Sequence, residues 1–107
     1  MEIIETRDGD TLVLGVAGRL DANTSSTFEK ELIGRILSGE NNLVLDFERL
    51  DFISSAGMRV LLMAAKRIRA AKGRMVLCSV AEDICNVFQI SGFTAVLTIV
   101  PGRSDAI

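Results

Sequence analysis

Residues Asn42–Gly73 read NLVLDFERLDFISSAGMRVLLMAAKRIRAAKG. An apolar run, Leu43–Phe47, gives way to a short acidic connector, a small-residue turn and then a pattern with helical period. Short apolar runs of this length suit a strand covered on at least one face. Asp46 interrupts the run, either as a solvated or hydrogen-bonded group at the strand's end or as a neighbour of the turn at Ser54 and Ser55. Beyond the turn, Met58, Leu61, Leu62, Ala65 and Ile68 recur at helical spacing, with Arg59, Lys66, Arg67 and Ala70 largely opposite. That spacing predicts an amphipathic helix. Lys66, Arg67, Arg69 and Lys72 crowd its final turns, where cations complement the helix dipole, and Gly73 is the expected C′ residue. The basic cluster therefore reads first as helix chemistry and only second as a binding patch.

Working outward, Ile3–Thr6 and Thr11–Ala17 flank Arg7-Asp8-Gly9-Asp10 and predict a hairpin. The second strand is apolar on both sides, which suits an interior place in a sheet. Gly18-Arg19-Leu20-Asp21 is read as leaving that strand. A helix follows, capped by Asn23 or Thr24 or begun by the Ser26/Glu29 capping box, with Phe28, Leu32, Ile33, Ile36 and Leu37 on one face and Gly39 at its end. Gly34 in its interior suggests close approach to a neighbouring element. After the central stretch come a strand at Met75–Cys78 and a third helix, opened by a capping box at Ser79–Glu82, carrying Ile84, Val87 and Phe88, and ended by Gly92. A last strand is expected around Val96–Ile99, broken by Pro101-Gly102, with a loose tail or short extra helix beyond. The order β-β-α-β-α-β-α-β predicts an α/β domain with a mixed, mostly parallel sheet.

A chain of 107 residues has interior enough for one domain, taken here as 1–107 with a core over about 3–100. Its 49% hydrophobic and 24% charged composition is that of a compact folded protein rather than a disordered one. Net charge is −2, from 12 basic and 14 acidic residues, which leaves no footprint for a phosphate backbone and argues against direct nucleic-acid binding. No apolar run reaches the roughly 18 residues of a membrane span, and the start Met1-Glu2-Ile3-Ile4-Glu5 is unlike a signal peptide, so a cytoplasmic location without membrane insertion is expected. Cys78 and Cys85, without any histidine in the chain, are read as small buried hydrophobes with reduced thiols rather than metal ligands.

A serine between strand and helix invites comparison with a hydrolase nucleophile elbow. The pattern fails, because Ile53 stands where the first glycine belongs and no histidine exists to act as base. Gly57 belongs to no phosphate-binding loop either. No catalytic residue, cofactor or metal is expected. Two uses of the serines remain. One is an N-cap, worth about 1 kcal/mol. The other is a modification site, since a helix start accommodates a phosphoryl group of about −1.5 to −2 charge without unfolding the domain.

Val16-Ala17-Gly18-Arg19-Leu20-Asp21-Ala22, then Leu43–Phe47, then Phe52-Ile53-Ser54-Ser55-Ala56-Gly57-Met58-Arg59-Val60-Leu61-Leu62 together resemble the STAS family, specifically its stand-alone bacterial anti-sigma factor antagonists. The resemblance runs from about Ile3 to Val100. It implies a single domain with a sheet of 4–5 strands, mostly parallel, packed with 3–4 helices. It also implies a non-enzymatic protein that binds an anti-sigma factor, itself a GHKL-type serine kinase, and so frees a sigma factor. Phosphorylation cancels that binding, and a PPM-type phosphatase restores it. On this resemblance Ser55 is the phosphorylated residue and Ser54 the second choice, because Ser54 stands where many members carry Asp. The implied partner-binding residues are Asp21, Ser54, Ser55, Ala56, Gly57, Met58 and Arg59. A second reading within the same family is a constitutive subunit of a lipid ABC transporter or a stress-sensing complex.

Overall fold

The computed structural model describes residues 1–107, and the central stretch sets its architecture. Strand β1 (Glu2–Asp8) turns through Gly9 into β2 (Thr11–Leu20), and the two pair antiparallel, as the hairpin reading required. Helix α1 (Ser25–Leu37) leads to β3 (Asn42–Asp46), which lies parallel to β2. Next come β4 (Leu50–Ile53), α2 (Ser55–Ala70) and β5 (Arg74–Cys78), with β5 parallel to β3. Helix α3 (Glu82–Ile90), a 3-10 turn at Phe93–Ala95, β6 (Thr98–Val100) and α4 (Arg103–Ala106) complete the chain. The sheet runs β1-β2-β3-β5-β6, with β4 paired to the far end of β2. Only the first pair is antiparallel, so the sheet is mixed and mostly parallel.

The sheet has six strands where the sequence suggested five at most. Strand β2 does not end at Ala17. It passes an irregularity between Gly18 and Arg19, where Gly18 sits at φ +95, and continues to Leu20 beside β4. A side chain at Gly18 would be strained in that region and would also press on the backbone of Met1 at 3.3 Å.

Side chains alternate across the strands, so the sheet builds two cores. Leu12, Leu14, Leu43, Leu45 and Leu77 face α1, α2 and α3, packing with Phe28, Leu32, Leu61, Ile84 and Phe88. On the opposite face Val13, Val44, Val76 and Cys78 form a smaller cluster closed by Ala106 of α4. Of the two expectations for the tail, loose or a short extra helix, the structure has the helix, and it covers part of the sheet. Arg103 donates two hydrogen bonds, from Nε and a terminal nitrogen, to the same Asp46 oxygen at 3.0 and 2.8 Å. The other oxygen of this buried carboxylate accepts from the Glu48 N–H. Asp46 is therefore held by the second core, and the alternative that it borders the serine turn is set aside.

Several local expectations change in three dimensions. Leu37 and Val87, assigned to buried faces, are 70% and 40% exposed. Gly34 has open space where a Cβ would go, so no neighbouring element requires it. Thr24 does stand at the N-cap of α1, but its side chain makes no cap bond, and Ser26 lies inside the helix. The Ser79 capping box does not form either: Ser79 adopts φ +57, its N–H donates to Pro101, and α3 starts from Ala81. At the end of α2 the left-handed C′ residue is Lys72, at φ +59. Its N–H bonds to Arg69 and that of Gly73 to Ile68, the paired bonds of a Schellman ending. Gly73 is required for space, because a Cβ there would lie 2.3 Å from the Asn41 carbonyl oxygen.

Candidate functional site

Strands β2 and β4 run parallel and end side by side, with Leu20 opposite Ile53. Each then delivers a helix: β2 leads into α1 through the Asp21 loop, and β4 leads directly into α2. The Ser54 N–H donates to the Leu20 carbonyl at 2.7 Å, which joins the two strand ends. The carboxyl ends of adjacent parallel strands, each followed by a helix N-terminus, form the edge at which α/β domains commonly meet ligands and partners.

Asp21 organises the first loop. One carboxylate oxygen accepts from the N–H groups of Asn23 and Thr24, at 2.9 and 3.0 Å. The Thr24 hydroxyl accepts from the Asp21 N–H and donates to the Arg19 carbonyl. The Thr24 N–H, followed by that of Asn23 and the Thr24 hydroxyl, holds the Asp21 carboxyl below the usual carboxylate range against a smaller opposing effect of desolvation. An ionised Asp21 thus stiffens the loop while its remaining oxygen is free of protein partners.

The two serines have separate roles. Ser54 is the N-cap of α2, with extended backbone, and its hydroxyl accepts from the Gly57 N–H at 3.2 Å. Ser55 is the first helical residue, exposed, and its hydroxyl has no hydrogen-bond partner in the protein. Ser54 also takes the Met58 N–H on its carbonyl, which leaves the N–H groups of Ser55 and Ala56 as the free donors of the first turn.

Gly57 and Met58 do not belong to the outer face. Both are buried, and a Cβ on Gly57 would meet Ile53 at 2.9 Å and Leu20 at 3.2 Å. The small-residue turn lets α2 settle against the ends of β2 and β4. Asp21, Ser54 and Ala56 are partly exposed, and Ser55 and Arg59 are exposed, so these five supply the surface. The sequence reading missed two neighbours. Arg19 lies opposite Phe52 across β2 and β4, its guanidinium carbon 4.3 Å from the ring centroid, and Phe52 is 38% exposed. The available signal is Phe52, two residues before Ser54, and it is hidden because the sequence reads as a connector where the structure has β4.

The STAS domain model matches residues 3–106, and this chain belongs to that family. Among curated relatives it is 38% identical over 95 residues to BtrV of Bordetella bronchiseptica, assigned by name as an anti-sigma factor antagonist, covering 89% of this chain and 82% of that protein. It is 26% identical over 98 residues to the anti-sigma-B factor antagonist of Listeria monocytogenes, covering 90% and 84%. The solved structure of the Bacillus cell fate determinant SpoIIAA in its phosphorylated form shares the fold, with a TM-score of 0.76 and 23% identity over 98% of this chain and 96% of that one.

Proposed function

We propose that this protein is an anti-sigma factor antagonist switched by phosphorylation of Ser55. Its unmodified form binds a GHKL-type anti-sigma factor serine kinase through Asp21, Ser54, Ser55, Ala56 and Arg59, with Phe52 and Arg19 beside them, and thereby frees a sigma factor. In the switching step the Ser55 Oγ attacks the γ-phosphorus of ATP, ADP leaves, and the hydroxyl proton passes to a base of the kinase. A PPM-type phosphatase reverses the modification by hydrolysis. The protein itself supplies the acceptor and the docking face, and no catalysis of its own.

The observation that carries this reading is the division of labour between the serines: the Ser54 hydroxyl is engaged as a cap, whereas that of Ser55 is exposed and unengaged. The names of its relatives support the regulatory class. With its cognate kinase and ATP, the tryptic segment Leu50–Arg59 gains one phosphate by mass spectrometry. Ser55→Ala abolishes the gain, and Ser54→Ala keeps it while lowering stability by about 1 kcal/mol. Phosphate retained in Ser55→Ala and lost in Ser54→Ala would reverse the assignment.

A further inference from the structure

Between Phe52 and Ala81 the chain carries six cations and no carboxylate, although its net charge is −2. Arg59 lies near the serine turn. The others, Lys66, Arg67, Arg69, Lys72 and Arg74, gather where α2 ends and β5 begins. All five are exposed, and none is in a salt bridge, whereas Arg7, Arg35 and Arg103 each hold a carboxylate. The helix dipole accounts for Arg67 and Arg69 in the last turn. It does not account for Arg74, which lies in β5. Lys72 occupies the left-handed C′ position, where glycine would be the unstrained choice.

Shallow, open hollows lie between these cations. Arg69 and Arg74 border one hollow with Val96, and Lys72 and Arg74 border a second. Arg67 borders a third with Ile36, Leu37 and Ala70, where α1 and α2 end together. Leu37, 70% exposed, is an aliphatic group left without a partner among the cations.

We propose that this pole is a second docking surface, which binds an acidic polypeptide segment of another protein. An aliphatic side chain of that segment enters the Leu37 hollow, and its carboxylates meet Arg67, Arg69, Lys72 and Arg74. The hollows fit a peptide better than nucleic acid, because none of the three is lined by an aromatic face on which a base could stack, and the one beside Leu37 is lined mostly by aliphatic groups. They fit it better than a membrane, because Leu37 and Val96 are too little exposed apolar surface to enter a bilayer interface. Arg67 and Arg69 follow Ser55 on α2 by 12 and 14 residues, so this pole begins about 18–21 Å from Ser55 at 1.5 Å per residue. That distance is more than two Debye lengths at roughly 8 Å each in physiological salt. Both ends can be occupied together, and the charge state of Ser55 does not reach the pole.

The test uses the full chain and a short fluorescent peptide rich in Glu, with two Leu residues one helical turn apart. Binding followed by anisotropy at low salt saturates, weakens as salt is raised, and is absent for the peptide with Gln in place of Glu. Amide resonances of residues 66–74 and of Ile36 and Leu37 shift on titration. The Arg67→Glu, Arg69→Glu double variant, with an unchanged circular dichroism spectrum, binds at least tenfold more weakly. Lys72→Gly keeps the fold and also binds more weakly. Ser55→Asp binds as the parent does, an outcome independent of whether the kinase reading holds. The proposal is overturned by absent peptide binding at low salt, by indifference to the charge reversals, or by shifts centred elsewhere. Tighter binding of a DNA duplex or of phosphatidylglycerol vesicles through the same resonances also overturns it.

Discussion

The sequence assigns a close approach to Gly34 and a helix end to Gly73, yet it is Gly73 that has a neighbour in the way. A Cβ at Gly34 meets nothing within 4 Å, and the residue is exposed within α1. Gly34→Ala therefore removes the helix cost of glycine without a clash and should stabilise the protein by about 1 kcal/mol. At Gly73 a Cβ would meet the Asn41 carbonyl oxygen at 2.3 Å, a backbone atom that cannot turn aside. Gly73→Ala must move the β3 and β5 starts apart and should cost roughly 3 kcal/mol, the upper range for overpacking. Urea unfolding of both variants checks the pair, and equal midpoints would contradict the geometry. The same contrast shows what a lone sequence conveys: glycine announces a backbone need without saying whether it is a turn, a close approach or none.

At the scale of elements, the helices and buried strands were legible because their periodicity is strong and their ends carry glycine. Strand β4 was not. Its buried residues, Leu50 and Ile53, enclose two exposed ones, and an irregular register with β2 breaks the two-residue alternation that betrays a strand. The site was half visible. The serine turn stands in the sequence, whereas the contact of Arg19 with Phe52 depends on two segments meeting across that unpredicted pairing. A short helix beyond Pro101-Gly102 is one of the two readings the sequence allows, but its place on the sheet was hidden, because four residues have no period to read and its anchor is tertiary. That anchor makes a prediction. Arg103→Ala leaves the buried Asp46 with only the Glu48 N–H, a loss of charged hydrogen bonds worth about 2 kcal/mol. It should also loosen α4 from Cys78. Burial first, and the nearby Asp46 charge second, push the Cys78 thiol up, so it is a poor nucleophile as well as a sealed one. In the parent a thiol reagent such as DTNB should modify Cys85, which is partly exposed, ahead of Cys78. In Arg103→Ala the Cys78 reaction should accelerate at least tenfold, and an unchanged rate would show that α4 is not its cover.

For the whole molecule, the proposed switch requires a change of surface on an unchanged fold. Ser55 heads α2, where the first-turn N–H groups of Ser55 and Ala56 are free and Arg59 follows one turn later on the exposed side. Negative charge placed there interacts favourably with the helix end, by about 0.3–1 kcal/mol. Ser55→Asp should accordingly leave the thermal midpoint unchanged or raise it by a few degrees, on the order of 2–6 °C for a domain of this size. Its affinity for the kinase should nevertheless fall at least tenfold, because the new charge meets the docking face directly. Ser54→Ala should show the opposite pair, a lowered midpoint from the lost Gly57 cap with kinase binding retained. Calorimetry and binding measured on the same preparations separate the two serines. A large fall in the Ser55→Asp midpoint would mean that charge at this position acts by loosening the two strand ends joined at Leu20 and Ser54, and the surface account of switching would fail.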